Sequence, residues 1–149
     1  MKIVSFNEKY LAEMARLYID EYSVSGYEWD LKTTKEYLWR NVKEFPEYCF
    51  AAVDEKENCL GAIFCRINPY YTGTMLFVDA LQVKKECREQ GVGRALLKKV
   101  IEKAKQEGIL GIHFLASDRK DFPKSWYEKI SFKKSGWVEY EAFMKDLKI

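Results

Sequence analysis

Arg88, Gly91, Gly93 and Arg94 stand directly after an apolar, strand-like run that ends at Val83, and Gly91 and Gly93 open a long amphipathic pattern. Two glycines at alternate positions let backbone N–H groups crowd together without Cβ interference, and a helix beginning there adds the positive end of its dipole. Arg88 and Arg94 bracket the glycines and can supply charge-assisted hydrogen bonds, while Lys84 and Lys85 raise the positive potential on the approach. The chemistry this suits is holding a phosphate or pyrophosphate. Other phosphate loops fit less well. A dinucleotide fingerprint wants a third glycine where this chain has Leu96, and no GxxxxGK is present.

The pattern Arg88-x-x-Gly91-x-Gly93 after a hydrophobic strand resembles the acetyl-coenzyme A binding motif of the GNAT superfamily of N-acetyltransferases, which reads Gln or Arg, two residues, Gly, one residue, then Gly or Ala. The later segment Trp126-Tyr127-Glu128-Lys129-Ile130-Ser131-Phe132 is similar to a second landmark of that family, with Ser131 where glycine is common. The resemblance implies acetyl-CoA as co-substrate, no metal, and direct transfer of the acetyl group to a primary amine of a small molecule or peptide. It assigns backbone groups around Leu81, Gln82 and Val83 to the pantetheine arm, and Arg88, Glu89, Gln90, Gly91, Val92, Gly93 and Arg94 to the pyrophosphate. A non-catalytic acyl-CoA sensor that keeps the loop is the alternative function.

Acetyl transfer needs a neutral amine, a polarised thioester carbonyl and a proton for the departing thiolate. By the resemblance Asp79 holds the strand position where family members often carry glutamate, one methylene longer. It is read as general base acting through water, or equally as a solvated strand carboxylate or one that binds a cationic substrate. Tyr127 matches the family tyrosine that protonates the thiolate, with aromatic packing beside Trp126 and Phe132 as the other reading. The usual asparagine before that helix is not evident; Lys120 or Asp121 lies near its place. The only histidine, His113, sits in an apolar run and is read as a packed sheet residue. Tyr27, Trp29, Tyr70 and Tyr71, with Glu21, Glu28 and Asp30 nearby, fall in two connecting segments that would rim the acceptor side, suiting a cation, or pack as ordinary loops.

These groups need a frame. With 149 residues and 48% hydrophobic content the chain reads as one domain over residues 1–149, and a formal net charge of +2 demands neither nucleic acid nor an anionic membrane. No run of about 20 apolar residues and no apolar signal core follow Met1, which predicts a cytoplasmic protein. Cys49, Cys59, Cys65 and Cys87 lack CxxC spacing and are read as reduced thiols.

Alternation predicts strands over 3–6, 48–53, 60–67 and 74–83, and a nearly continuous apolar strand over 109–116. Helical spacing predicts helices after Asn7, after a Thr33–Glu36 capping box, after Gly91 and after Pro123. Two closing strands are expected over 132–138 and 141–147, whose edges would allow a homodimer. The order β-α-α-β-β-β-α-β-α-β-β predicts an α/β (α+β) mixed sheet flanked by helices, the order of the GNAT fold, with the strands on either side of the phosphate loop splaying apart.

Overall fold

The computed structural model describes residues 1–23, 28–71, 73–117, 120, 122–139 and 141–146. Two compact units divide the chain, Met1–Leu115 and Ala116–Ile149. The first holds a five-stranded sheet in the order β1-β2-β3-β4-β5, formed by β1 (Lys2–Ser5), β2 (Phe50–Val53), β3 (Cys59–Tyr70), β4 (Gly73–Val83) and β5 (Gly111–His113). β1 to β4 pair antiparallel and β5 joins β4 in parallel, as a strand–helix–strand crossover dictates.

α1 (Leu11–Tyr22) buries Leu11, Met14, Ala15 and Tyr18, one stripe at helical spacing. α2 (Leu31–Glu44) buries Thr34, Leu38, Asn41 and Val42 in the same manner. Its cap is Asp30, whose Oδ1 accepts from the Thr33 amide at 2.9 Å, three residues before the capping box expected at Thr33. These two stripes close on Ala51, Val53, Ala62, Phe64 and Ala80 of the sheet to form the core. α3 (Val92–Gln106) buries Val92, Leu96, Leu97, Val100 and Ala104. It ends at Gly108, whose φ of 71° permits the turn in which the Ile109 amide donates to the Ala104 carbonyl at 3.0 Å.

The long hairpin of β3 and β4 runs further than its sequence suggests. Pro69 and Tyr70, expected in a loop, pair with Thr74 and Gly73. Conversely β5 covers only Gly111–His113 of the apolar 109–116 run, because its ladder to β4 stops at Phe77↔His113. All four cysteines are free, and burial pushes the thiols of Cys49 and Cys59 up, to about 12 and about 11.

In the second unit α4 spans Lys124–Lys129, entered through Pro123. The closing strands expected over 132–138 and 141–147 are not formed among the described residues. Gly136 takes a left-handed φ of 88°, which interrupts the first, and Met144–Asp146 closes a 3-10 turn within the second. Trp137 and Val138 are consequently 81% and 72% exposed.

Candidate acyl-transfer site

The site is built where β4 outruns β5. Beyond Phe77 the β5 side of β4 has no ladder partner among the described residues, so Val78–Val83 pairs on one edge alone. The Lys84 amide donates to the Leu60 carbonyl at 3.0 Å, which fixes the antiparallel phase. By the alternation of such ladders the backbone groups of Leu81 and Val83 then face the open edge. The carbonyl of Val83 is accordingly free to accept from Arg88 Nε at 3.2 Å. Gln82, expected between them, directs its backbone to β3, and its side chain, 2% exposed, finds no hydrogen-bond partner among the described residues.

A 3-10 turn over Lys85–Cys87 leads into the glycine bend, where Glu89 and Gly91 adopt φ of 63° and 81°. Gly91 is the N-cap of α3 and no side chain caps that end, so the first amides of the helix are open to an anion. A Cβ on Gly91 would meet nothing within 4 Å, whereas one on Gly93 would lie 3.5 Å from Val83 Cγ2. Gln90 Nε2 donates to the Glu86 carbonyl at 2.8 Å and so braces the bend from within. Val92 is buried, which leaves only its amide for a ligand. Arg94 makes no ion pair among the described residues, while Arg88 Nη2 meets Glu21 Oε1 at 2.5 Å. The donor set, several amides with two guanidinium groups beside a strand edge, fits the diphosphate and amide arm of coenzyme A.

A bulge between Phe64 and Cys65 leaves Asp79 without a cross-strand partner and turns it to the face beneath α2. There its Oδ2 accepts from Arg66 Nε at 3.0 Å and its Oδ1 lies 3.5 Å from the Tyr37 hydroxyl. Burial pushes the Asp79 carboxyl above the usual carboxylate range, and Arg66 and Arg40 pull against that shift. Arg66 lies 4.1 Å from the Phe77 ring centroid and donates to Asn68 Oδ1 at 2.9 Å.

The contacts continue along the same face. Phe77 meets His113 edge-on at 4.9 Å, His113 meets Tyr70 at 5.9 Å, and Tyr70 meets Tyr71 at 4.7 Å. On the other side Tyr37 touches Trp29 at 5.3 Å, with Tyr18 at 5.1 Å from Trp29. Three of the four aromatic candidates, Trp29, Tyr70 and Tyr71, are therefore joined to Asp79 by one chain of side chains. Trp29 is wedged into the core margin, while Tyr71 is 85% exposed. Tyr27 lies outside the described residues.

His113 is the residue whose setting the sequence obscured. It ends β5 at the point where the sheet opens, its Nε2 is buried, and that nitrogen has no hydrogen-bond partner among the described residues. Burial and Arg66 hold its pKa below the ordinary histidine value. A lone histidine in an apolar run carries no such signal; only the register of β5 against Phe77 places it there. Tyr127 belongs to the second unit, where it stacks on Phe122 at 5.8 Å and meets Trp126 and Phe132 edge-on.

A mixed sheet opened beside a glycine bend and a helix N-terminus is the arrangement the sequence resemblance implies for an acyl-CoA-dependent transferase. The model of the Acetyltransferase (GNAT) family matches residues 11–132, and the chain belongs to that family and is an acyltransferase. N-alpha-acetyltransferase 30 of Schizosaccharomyces pombe is 26% identical over 133 residues, covering 87% of this chain and 82% of that protein. A transcriptional regulator from Bacillus halodurans C-125 shares the fold with a TM-score of 0.78 at 21% identity, over 95% of this chain and 99% of the other. Naa50 of Arabidopsis thaliana, solved in complex with the bisubstrate analogue CoA-Ac-MVNAL, superposes with a TM-score of 0.68 at 19% identity, over 89% and 82%.

Proposed function

We propose that the chain transfers an acetyl group from acetyl-CoA to the α-amine of a peptide. Acetyl-CoA supplies an activated acyl thioester, and this chain supplies the grip, the orientation and the path for the proton. Leu81 and Val83 offer edge amides and carbonyls to the pantetheine arm, and the amides from Gly91 to Arg94 with the two arginines take the diphosphate.

The observation that carries the acceptor assignment is the contrast between two titratable groups on one sheet face. Asp79 is occupied by Arg66, so its carboxylate is poorly placed to collect a proton or to bind a free cation. Burial and Arg66 hold the His113 pKa below the ordinary histidine value, which favours the neutral ring, and its Nε2 has no hydrogen-bond partner among the described residues. An imidazole of pKa below about 6.5 is a weak base for a lysine amine near 10.4 but is adequate for an α-amine near 7.7–8.0, already partly neutral. His113 therefore takes the acceptor proton once the acceptor or one water gains access to its buried Nε2, while Asp79 holds Arg66. Two similar proteins support the same class: one is named an N-alpha-acetyltransferase, and Naa50 was solved with the bisubstrate analogue CoA-Ac-MVNAL.

The test is to incubate the protein with acetyl-CoA and short peptides whose N-terminus is free or blocked, with and without an internal lysine, while following thiol release and peptide mass. Acetylation confined to free N-termini is the expected result. Acetylation of blocked, lysine-containing peptides would reject the α-amine, and binding of acetyl-CoA with no thiol release on any amine would favour a sensor.

A further inference from the structure

Arg88 is the arginine that opens the phosphate bend, yet it reaches back over the end of β4. Its Nε donates to the Val83 carbonyl at 3.2 Å and its Nη2 meets Glu21 Oε1 at 2.5 Å. The carbonyl lies on the open strand edge, and the carboxylate comes from the last turn of α1, with Lys85 Nζ at 4.0 Å from the same oxygen. Lys84, the remaining cation on the approach, is paired with Glu13 Oε1 of α1 at 2.5 Å. Helix α1 thus lays carboxylates on Lys84, Lys85 and Arg88, the cations between β4 and the glycines.

We propose that Glu21 is an internal anion that occupies Arg88 until a diphosphate takes its place, and that it thereby sets the affinity for the acyl carrier. This rests on the reading that the bend holds the diphosphate of acetyl-CoA. The physical case is one of competition. Arg88 cannot keep its bonds to Val83 and Glu21 while the carbonyl accepts a pantetheine amide and the guanidinium turns to the bend. The pair is 44% and 29% exposed at its two side chains, in the range where ion pairs are weak enough to exchange for a doubly charged ligand held by several amides. A carboxylate left beside the bound diphosphate would also repel it.

Calorimetric titration of the full chain with coenzyme A tests this. Glu21→Gln should bind about three- to tenfold more tightly than wild type, the worth of one half-exposed ion pair together with the relieved repulsion. Glu21→Asp, which keeps the charge but draws the carboxylate back, should fall between the two. In an Arg88→Gln background Glu21→Gln should gain clearly less than in the wild-type background, because the Arg88 pair is gone and only the relieved repulsion and the Lys85 contact remain. Weaker or unchanged binding by Glu21→Gln, with an unaltered melting temperature, would overturn the proposal and make Glu21 a residue that positions Arg88. Absence of binding by wild type and variants alike would instead remove the coenzyme A reading itself.

Discussion

Arg66 Nε stands 3.0 Å from Asp79 Oδ2, across the hairpin and at a bulge that sets Asp79 outside the strand register. The Asp79 side chain is 4% exposed and that of Arg66 31%, so the carboxylate is the desolvated partner and depends on the guanidinium. Position makes Asp79 an attractive base; its ion pair also holds Arg66, which lies over the Phe77 ring.

Replacing Asp79 by Asn keeps the shape and one acceptor while removing the charge. The expected outcome is a less than tenfold loss in kcat, with the pH profile retained. A loss of a hundredfold or more, accompanied by disappearance of the acid limb, would return the proton transfer to Asp79. Arg66→Met is the harsher change. It strands a buried carboxylate and should lower stability by about 1–3 kcal/mol, read from denaturant unfolding.

The pH dependence follows from His113. Its folded pKa lies below the unfolded value of about 6.5, so the unfolded chain binds the proton more readily between the two. Its contribution to stability is therefore complete above about pH 6.5 and is lost as pH falls through the folded pKa. The same group, needed neutral, should add to the acceptor amine's own limb near 7.7–8.0 a second acid limb in kcat/KM with an apparent pKa below about 6.5. In His113→Gln that limb should vanish and kcat should fall by about 10²–10⁴. An unchanged profile in this variant would dismiss His113 as the base.

The two glycines separate strain from contact. Gly91 holds φ of 81°, so Gly91→Ala should cost about 1 kcal/mol in the folded chain and weaken coenzyme A binding at least tenfold as the bend distorts. Gly93→Ala meets only ordinary contact with Val83 and should leave stability within about 0.5 kcal/mol of wild type. Thermal unfolding and coenzyme A titration of both variants check the contrast.

For Tyr127 the expectation from family resemblance is proton donation to the departing thiolate. Tyr127→Phe keeps the stacking on Phe122 and removes the hydroxyl. Turnover should fall far more than coenzyme A affinity; parallel losses would assign the ring to packing alone.

Residues 88–94 carried the family in their own types and spacing, because a bend that exposes successive amides needs glycine locally and a guanidinium nearby whatever surrounds it. The helices were legible for a related reason: each must bury one stripe, and Leu96, Leu97 and Val100 announce that stripe within a few turns. What the sequence left undecided was every property that depends on a partner far along the chain. Sequence alone could not say whether Asp79 is a base, a solvated strand carboxylate or a binder of a cationic substrate, because the neighbour that bears on it, Arg66, is brought beside it only by the β3–β4 register. His113 read as ordinary sheet packing until the parallel ladder to β4 ended at that residue and left its ring nitrogen buried beside Phe77. Local rules fix backbone conformation over a few residues, whereas desolvation and charge pairing are set by which segments meet, and at Asp79 and His113 tertiary contact alone settles that.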